Sequence, residues 1–314
     1  MYYVGIDIGG MSIKVGLVTS DGKIDIARAI PTNPDSGYED MIKRTSDLIF
    51  SLCDEKKVSY NSLKGIGIGI PGIADSHRGF VPSAVNIGWK NVPVVEEFAK
   101  YFDVPVRISN DANCAALGEQ RFGAGNGYKS TVLITLGTGI GSGIVVDGKL
   151  LEGNGCAGAE SGHMVIEIDG EPCNCGRNGC WERYASATAL INQTKKAMQQ
   201  DPNTLMHDIT RKYGKVSGRT AFLAMQEGDE LAKAVVDKYI RYIAVGLINL
   251  GNVIHPEAFI IGGGISHEGE KLINPLQKYL DNAIYANGMY PTIKVLCASL
   301  GNDAGIIGAA TLVM

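Results

Sequence analysis

The feature that most constrains this chain is a repeated pattern of strand, glycine loop and strand. Residues Thr131 to Leu150 read TVLITLGTGIGSGIVVDGKL, which gives two apolar strands around a glycine loop, followed by an Asp-Gly turn. Residues Val4 to Lys23 follow the same order. Glycine lets backbone N–H groups turn toward an anion without a side chain in the way. The repeat indicates two related lobes, each with a phosphate-binding turn. Two ordinary β-hairpins are the alternative, because Asp-Gly between apolar runs is a common hairpin signal.

Length and composition indicate a globular protein with two domains. The chain has 314 residues, of which 45% are hydrophobic and 41 are glycine, which suits a substantial core with many loops. A net charge of −4 gives no electrostatic case for a nucleic-acid or anionic-membrane partner. The first residues lack the basic start of a signal peptide, and no apolar run approaches the ~20 residues of a membrane helix.

The spacing of apolar residues predicts strands that alternate with helices. Strands are expected three times within 2–30 and at 63–70, 104–109, 164–168, 258–261 and 293–298; helices are expected at 38–56, 93–101, 112–122, 182–198, 230–250 and 303–313. Ser266 is expected to cap a helix that follows it. Such alternation is typical of an α/β fold, in which strand-to-helix junctions commonly carry ligand-binding side chains. Asn110 and Asp111 lie at such a junction.

The densest chemical signal is the segment Cys173-Asn-Cys175-Gly-Arg-Asn-Gly-Cys180, with His163 ten residues upstream of Cys173. Three cysteines and one histidine form a closed tetrahedral ligand set for Zn²⁺, with no position left for water. The expected role is structural, because the ion would fasten a glycine-rich segment. Three buried thiols are the alternative. The total of seven cysteines is odd and suits a reducing cytoplasm.

Three further features have both a structural and a functional interpretation. Asp111 can cap a helix or act on a substrate. Asp7 can satisfy a turn, or meet Mg²⁺ on a phosphate held by the glycines that follow it. The run Gly262–Gly264 after a strand can be a simple turn, or can let a nucleotide base or ribose approach the backbone.

Together these residues resemble the ROK family of bacterial sugar kinases and repressors, and within it the glucose kinases. The resemblance rests on the motifs Asp7-Ile-Gly-Gly10, Asn110-Asp111-Ala-Asn113, Leu136-Gly-Thr-Gly-Ile-Gly141, Glu160-Ser-Gly-His163 and Cys173-x-Cys-Gly-x-x-Gly-Cys180-Trp-Glu182. The cysteine motif is highly specific, whereas the glycine loops are shared with the wider actin-like kinases.

The resemblance implies an α/β fold of two actin-like, ribonuclease H-like lobes, with the active site in the cleft between them and a small zinc-stapled segment. Residues 1–117 would form the N-terminal lobe, joined by a C-terminal helix at 299–314, and residues 118–298 would form the other lobe with the zinc motif. The family also implies a homodimer, with tetramers in some members, and a cytoplasmic location.

The implied activity is transfer of the γ-phosphate of ATP to the 6-hydroxyl of a hexose, with glucose as the expected substrate. Asp111 would be the catalytic base. The sugar would be held by Gly72, Asn86, Asn110, Asp111, Glu160, His163 and Glu182. The nucleotide would be held by Asp7, Gly9, Gly10, Ser12, Lys14, Gly137, Thr138, Gly139, Gly141, Gly263 and Gly264, with Asp7 meeting Mg²⁺. The structural Zn²⁺ would be held by His163, Cys173, Cys175 and Cys180.

Two residues depart from the family pattern, and three alternative functions stay open. Met11 replaces the usual threonine of the first glycine loop, and Ser142 stands where glucose kinases have glycine; both bear on the nucleotide and the phosphoryl donor. One alternative is a kinase for N-acetylmannosamine, N-acetylglucosamine, fructose or mannose. A sugar-sensing repressor is disfavoured, because the first glycine loop begins at residue 7 and leaves no room for a preceding DNA-binding domain. A non-catalytic sugar-binding protein is the third.

Overall fold

The computed structural model describes residues 1–285 and 288–314. In chain order its elements begin with β1 (Tyr2–Ile8), β2 (Ser12–Thr19), β3 (Ile24–Pro31), α1 (Tyr38–Glu55), β4 (Ile66–Ile70), β5 (Ile73–Asp75), β6 (Phe80–Ala84), β7 (Trp89–Val92), α2 (Val94–Ala99), β8 (Val106–Asn110) and α3 (Asp111–Phe122). They continue with β9 (Thr131–Leu136), β10 (Ile140–Val146), β11 (Lys149–Leu150), α4 (Glu182–Ala185), α5 (Ala187–Gln200), α6 (Met206–Tyr213), α7 (Thr220–Gln226), α8 (Glu230–Ile254), β12 (Ala258–Gly262), α9 (Glu270–Ala283), β13 (Lys294–Cys297) and α10 (Ala304–Thr311). The fold is mixed α/β, as predicted.

The chain divides into two compact units. The first comprises Met1–Lys129, Gly143–Ala159 and Ser299–Met314, and the second comprises Ser130–Ser142 and Glu160–Ala298. The division after residue 142 falls inside β10. The predicted boundary between residues 117 and 118 falls inside the continuous helix α3, which belongs to the first unit along its whole length.

The first five-stranded sheet has the order β3-β2-β1-β4-β8. Strand β1 is antiparallel to β2 and parallel to β4, which is in turn parallel to β8. Parallel strands end at the same edge of a sheet. Asp7 pairs with Gly69, and Ile70 pairs with Asn110. The predicted functional residues at the ends of β1 and β8 therefore share one edge of this sheet.

The second five-stranded sheet has the order β11-β10-β9-β12-β13. Strand β12 is parallel to both β9 and β13, and β10 is antiparallel to β11. This order is the same as that of the first sheet, with β9 in the place of β1 and β12 in the place of β4. The repeat in the sequence thus corresponds to the first two strands of each sheet.

Helix α10 packs closely against the first sheet because glycines in the strands leave room for the helix backbone. Strand β4 reads Ile-Gly-Ile-Gly-Ile, so one face carries fully buried isoleucines and the other carries almost no side chain. A Cβ on Gly67 would overlap the carbonyl oxygen of Ala309, and a Cβ on Gly5 would overlap that of Ile306. On its other side, Gly308 lies equally close to the carbonyl of Cys114 in α3. The helix is therefore packed between the sheet and α3.

Helix α8 is the longest helix of the described residues and begins at a well-bonded cap. The Asp229 carboxylate accepts hydrogen bonds from the Thr204 hydroxyl (2.5 Å) and from the N–H groups of Leu205 (2.6 Å) and Ala232 (2.8 Å). Burial alone would raise the pKa of Asp229, but these hydrogen bonds lower it below its ordinary value. Across residues 1–285 and 288–314, no helix has both the length and the apolar character needed to cross a membrane.

Three local predictions are wrong. The strand expected at 164–168 is absent, because its backbone bonds to the cysteine loop instead: the Gly179 carbonyl accepts the N–H of Ile166 (2.9 Å). The helix expected at 182–198 is two helices, since Ser186 interrupts it and caps α5 by accepting the N–H of Ala189. Ser266 caps nothing, because its hydroxyl donates to the Gly263 carbonyl and α9 begins only at residue 270.

Candidate active site

Asp7 lies near the end of β1 and faces Lys14 of β2. Their Oδ2 and Nζ atoms are 3.6 Å apart, and Lys14 Nζ is 3.5 Å from the carbonyl oxygen of Asn302. Burial raises the pKa of Asp7 above its ordinary value, and the Lys14 ammonium opposes that shift. A partly desolvated carboxylate of this kind, an oxygen donor, is the type of ligand that a divalent cation such as Mg²⁺ prefers.

The first glycine loop, between β1 and β2, is held by its own backbone and by a residue that the sequence did not single out. The N–H of Gly9 donates to the carbonyl of Ser12 (2.9 Å). The hydroxyl of buried Thr32 donates to the carbonyl of Gly9 (2.6 Å). A Cβ on Gly10 would stand 3.7 Å from the carbonyl oxygen of Asn86. Asn86, a residue predicted to bind the sugar, therefore lies beside the loop.

Asn110 is the N-cap of α3, and Asp111 is its first helical residue. The Oδ1 atom of Asn110 accepts the N–H of Ala112 (2.8 Å), while its Nδ2 donates to the carbonyl of Gly72 (3.0 Å). Gly72 has φ = +99°, and a Cβ there would stand 2.7 Å from the Ser83 carbonyl, so only glycine fits. The capping role thus belongs to Asn110, and the Asp111 carboxylate lies at the positive end of the helix dipole, where a negative charge is stabilised.

Three carboxylates influence the fully buried thiol of Cys114, one turn into α3. Burial raises the pKa of Cys114 well above its ordinary value, and the negative charges of Asp111, Asp7 and Glu152 raise it further. Glu152 is a residue that the sequence analysis missed, because a single glutamate in a loop carries no recognisable signal. Its carboxylate accepts two serine hydroxyls, each at 2.7 Å. The first unit therefore gathers negative charge at the end of its parallel strands, which suits a site that works with a cation.

The second glycine loop, between β9 and β10, is fastened to the start of α5. The N–H of Gly137 donates to the carbonyl of Gly139 (3.1 Å), and the Gly137 carbonyl accepts the N–H of Ala187 (2.9 Å). A Cβ on Gly139 would stand 2.5 Å from the Oε2 atom of Glu182. Glu182, a residue predicted to bind the sugar, thus lies directly against the predicted phosphate-binding loop within the second unit.

The triple glycine after β12 lies beside the same loop. Gly262 pairs with Thr135 of β9. Gly263 has φ = +83°, and a Cβ on it would stand 2.5 Å from the carbonyl oxygen of Leu136. Thr138 and Gly264 are exposed. The second unit therefore brings the predicted phosphate loop and the predicted adenosine-bordering glycines together.

The two departures from the family pattern have different surroundings. Met11 is 91% exposed, so its thioether adds nothing to the packing of the first loop. The hydroxyl of buried Ser142 accepts the N–H of Ser161 (3.1 Å). Ser161 belongs to a tight turn in which the N–H of His163 donates to the carbonyl of Glu160 (3.1 Å). Ser142 therefore holds the segment that carries two predicted sugar ligands.

The side chains of His163, Cys173, Cys175 and Cys180 form a cluster of four potential metal ligands. One ligand atom from each lies within 4.8 Å of the other three. The Sγ atoms of Cys175 and Cys180 are 3.5 Å apart, and the Sγ of Cys173 is 3.7 Å from Nδ1 of His163. Tetrahedral metal–sulfur bonds of ~2.3 Å put neighbouring sulfurs about 3.8 Å apart, so the spacing suits one metal ion. The Oε1 atom of Glu182 lies 3.0 Å from the Sγ of Cys173.

The predicted residues fall into two groups. The first unit contains Asp7, Gly9, Gly10, Ser12, Lys14, Gly72, Asn86, Asn110 and Asp111. The second unit contains Gly137, Thr138, Gly139, Gly141, Glu160, His163, Glu182, Gly263 and Gly264 together with Cys173, Cys175 and Cys180. Each group by itself combines glycine loops with polar side chains, acidic and amide in the first unit and acidic, hydroxyl and imidazole in the second, which is the chemistry needed to bind phosphates and hydroxyl groups.

Comparison with known proteins gives matches over the whole chain. The ROK family profile matches residues 3–314. The chain is 38% identical to the glucokinase of Halalkalibacterium halodurans, covering 99% of this chain and 94% of that protein. It is also 38% identical to the glucokinase of Thermotoga maritima, covering 99% and 96% respectively. The crystal structure of a ROK family glucokinase from Streptomyces griseus in complex with glucose and AMPPNP is 35% identical, covers 99% of both chains and gives a TM-score of 0.79.

Proposed function

The chain belongs to the ROK family, and we infer that it is an ATP-dependent kinase that phosphorylates glucose on its 6-hydroxyl. The observation that carries this inference is the similarity, along nearly the full length of each protein, to two glucokinases and to a ROK glucokinase crystallised with glucose and AMPPNP. ATP is therefore the expected phosphoryl donor, and the enzyme is a hexose kinase.

We propose Asp111 as the base that accepts the proton of the sugar 6-hydroxyl as its oxygen attacks the γ-phosphorus. Phosphoryl transfer depends mainly on positioning and charge neutralisation, so a base needs a fixed direction more than a perturbed pKa. The first turn of α3 supplies that direction, because Asn110 caps the helix immediately before Asp111. One N–H of the Asn110 amide donates to the carbonyl of Gly72, and we propose that the other donates to a sugar hydroxyl.

The remaining sugar contacts are proposed from residues of both groups. We propose that Gly72, Asn86, Glu160, His163 and Glu182 bind the ring hydroxyls. Glu182 is supported by its position between the second glycine loop and the cysteine cluster. Because Ser142 bonds the turn that carries Glu160 and His163, these two side chains have a fixed backbone from which to act.

The nucleotide is proposed to bind through the glycine loops. Phosphate contacts come from Gly9, Gly10, Ser12, Lys14, Gly137, Thr138, Gly139 and Gly141, and Gly263 and Gly264 border the adenosine. Asp7 is the proposed ligand, directly or through water, of Mg²⁺, which when bound supplies positive charge to the transferring phosphate. The fit is supported by the raised pKa of Asp7, since a desolvated carboxylate gains from a nearby cation.

The cysteine cluster is proposed to hold one structural Zn²⁺. Three thiolates and an imidazole leave no open coordination position, so the ion would fasten the loop and take no part in the reaction. Through His163 the same ion would orient a proposed sugar ligand. We also propose a homodimer in the cytoplasm, where ATP is available and thiols stay reduced; light scattering of the purified protein tests the oligomer.

The proposed function is tested with purified protein, Mg·ATP and a panel of sugars, read as ADP formation. Glucose should give the highest kcat/KM among glucose, mannose, fructose, N-acetylglucosamine and N-acetylmannosamine. The variant Asp111→Asn should lose about 10³-fold in kcat and still bind glucose, because the proton acceptor is removed and the shape is kept. Asp237→Asn, an exposed change on α8, is the matched control. A rate in Asp111→Asn within about tenfold of the wild type would contradict the role of Asp111.

A further inference from the structure

The first unit contains a cavity that the proposed sugar and nucleotide residues do not line. Its volume is about 620 Å³, within the range of ~300–1,000 Å³ that small-molecule sites occupy. Its walls come from the start of β8, the second half of α3, the segment from the β10–β11 turn through β11 to Glu152, the end of α10 and the loop after β5. The cavity is therefore built from five segments of one compact unit and is large enough for a metabolite.

The walls of this cavity carry a surplus of positive charge. Arg107, Arg121 and Lys149 line it together with His77. Within the part of the chain that the structure describes, none of the three permanently charged side chains forms an ion pair. Arg121 instead stacks over the ring of Phe122, 5.5 Å from its centroid. Cations that share one opening without a counter-charge repel each other, and a bound anion removes that cost.

Glu152 is the only acidic residue in the lining, and its oxygens are already occupied. Oε1 accepts the hydroxyl of Ser109 and Oε2 that of Ser76, each at 2.7 Å. Two hydroxyl donors hold this carboxylate in place without neutralising the arginines. Three cations against one carboxylate leave a surplus of about two positive charges, which matches the charge of a phosphate group near neutral pH.

The composition of the lining favours phosphate over other anions. Two guanidinium groups offer the planar, paired donors that bind phosphate in a bidentate manner. The oxygen of the Gln120 amide adds a neutral acceptor for the rest of a metabolite, since the Nε2 of that amide already donates to the Tyr128 carbonyl (2.7 Å). At its α3 wall the cavity is removed from Asp111, because Arg121 lies ten residues further along that helix, about 15 Å at 1.5 Å per residue. Glu152, through its hydrogen bond to Ser109, belongs both to this lining and to the acidic end of β8. We propose that this cavity binds a small phosphorylated metabolite, at a site separate from the proposed active site.

Calorimetric titration with pyrophosphate tests this proposal. The protein is first saturated with AMPPNP and glucose, so that pyrophosphate cannot report on the proposed active site. The wild type should bind one further pyrophosphate per chain. The double variant Arg107→Ala/Lys149→Ala should weaken that binding about tenfold or more, because two of the three cations are lost. The matched control is Lys195→Ala/Lys196→Ala, which removes two exposed positive charges from α5 and should leave the affinity unchanged.

The outcomes decide the proposal in both directions. Absence of pyrophosphate binding to the wild type would overturn it, as would equal affinity of Arg107→Ala/Lys149→Ala and the wild type. Binding of citrate as tight as that of pyrophosphate would overturn the choice of phosphate. Lys149→Gln alone, an exposed change at the start of β11, gives a second variant that should weaken binding about threefold. Failure of AMPPNP or glucose to bind would count against the proposed function, while the comparison of the variants would still decide this site.

Discussion

Substitution of Glu119 by Gln tests how the first unit holds residues 299–300. Glu119 lies in α3 and is 1% exposed. Its Oε1 accepts the N–H groups of Ser299 (3.0 Å) and Leu300 (2.7 Å), and its Oε2 accepts the N–H of Ala124 (2.9 Å). Among the described residues no cation pairs with this carboxylate. Its charge is therefore met by backbone donors.

The expected loss of unfolding free energy in Glu119→Gln follows from the number of these hydrogen bonds. Glutamine keeps the shape of the side chain but turns one acceptor oxygen into an NH₂ donor that faces a backbone N–H. One or two buried N–H groups then lose their acceptor, at about 1–3 kcal/mol each. Removal of a buried charge returns part of this cost. We expect the free energy of unfolding of the first unit to fall by about 2–4 kcal/mol.

The two tryptophans make the assay specific for one unit. Trp89 is buried in the first unit and Trp181 in the second. In a Trp181→Phe background, the fluorescence of Trp89 during urea unfolding reports the first unit, and reference and variants share that background. Glu96→Gln, an exposed change on α2, should stay within ~0.5 kcal/mol of the reference. An equally small effect of Glu119→Gln would refute the reasoning.

Three other variants test separate parts of the structure. Asp229→Ala should lower the free energy of unfolding of the second unit by about 1–2 kcal/mol at neutral pH, since a helix cap is lost. Because the pKa of Asp229 is lower in the folded state, this difference is present above pH ~4 and shrinks as the pH falls through the folded-state pKa; urea unfolding at several pH values measures it. Ser142→Gly should raise the KM for glucose about 2–10-fold, because the hydrogen bond that holds Ser161 is lost, with the KM for ATP unchanged; an equal rise in both would contradict the assignment of Ser142 to the sugar-binding segment. Cys175→Ser should release one zinc ion per chain by elemental analysis, whereas Cys297→Ser, at an exposed cysteine, should retain it.

Patterns confined to neighbouring residues were readable from the sequence. The glycine-punctuated repeat predicted the β1–β2 and β9–β10 hairpins, because apolar runs and turn residues follow each other directly. The junction at Asn110 and Asp111 was visible because a strand and a helix meet there without a linker. The cysteine spacing predicted a cluster of ligand atoms, which the structure brings within 4.8 Å of one another.

Residues whose partners are distant in the sequence could not be found in this way. Thr32 bonds Gly9 from 23 residues away, and Glu152 bonds Ser109 from 43 residues away. Neither side chain belongs to a recognisable local pattern. The missing strand at 164–168 has the same origin, since the strand preference of its apolar residues was outweighed by hydrogen bonds to the cysteine loop. Hydrogen bonds between distant residues, and the local structure that depends on them, are set by tertiary contacts that a single sequence does not display.

The packing of α10 also sets an order for folding during synthesis. The first sheet has no side chain at Gly5 and Gly67, and the atoms nearest to these positions belong to α10, residues 304–311. All of Glu160–Ala298 is translated between the body of this unit and its covering helix. Domains generally fold as they leave the ribosome. The first unit contains both the first and the last residues of the chain, so its folding can be completed only after the second unit has been translated. During that interval, the sheet surface at Gly5 and Gly67 lacks the helix that covers it in the folded protein.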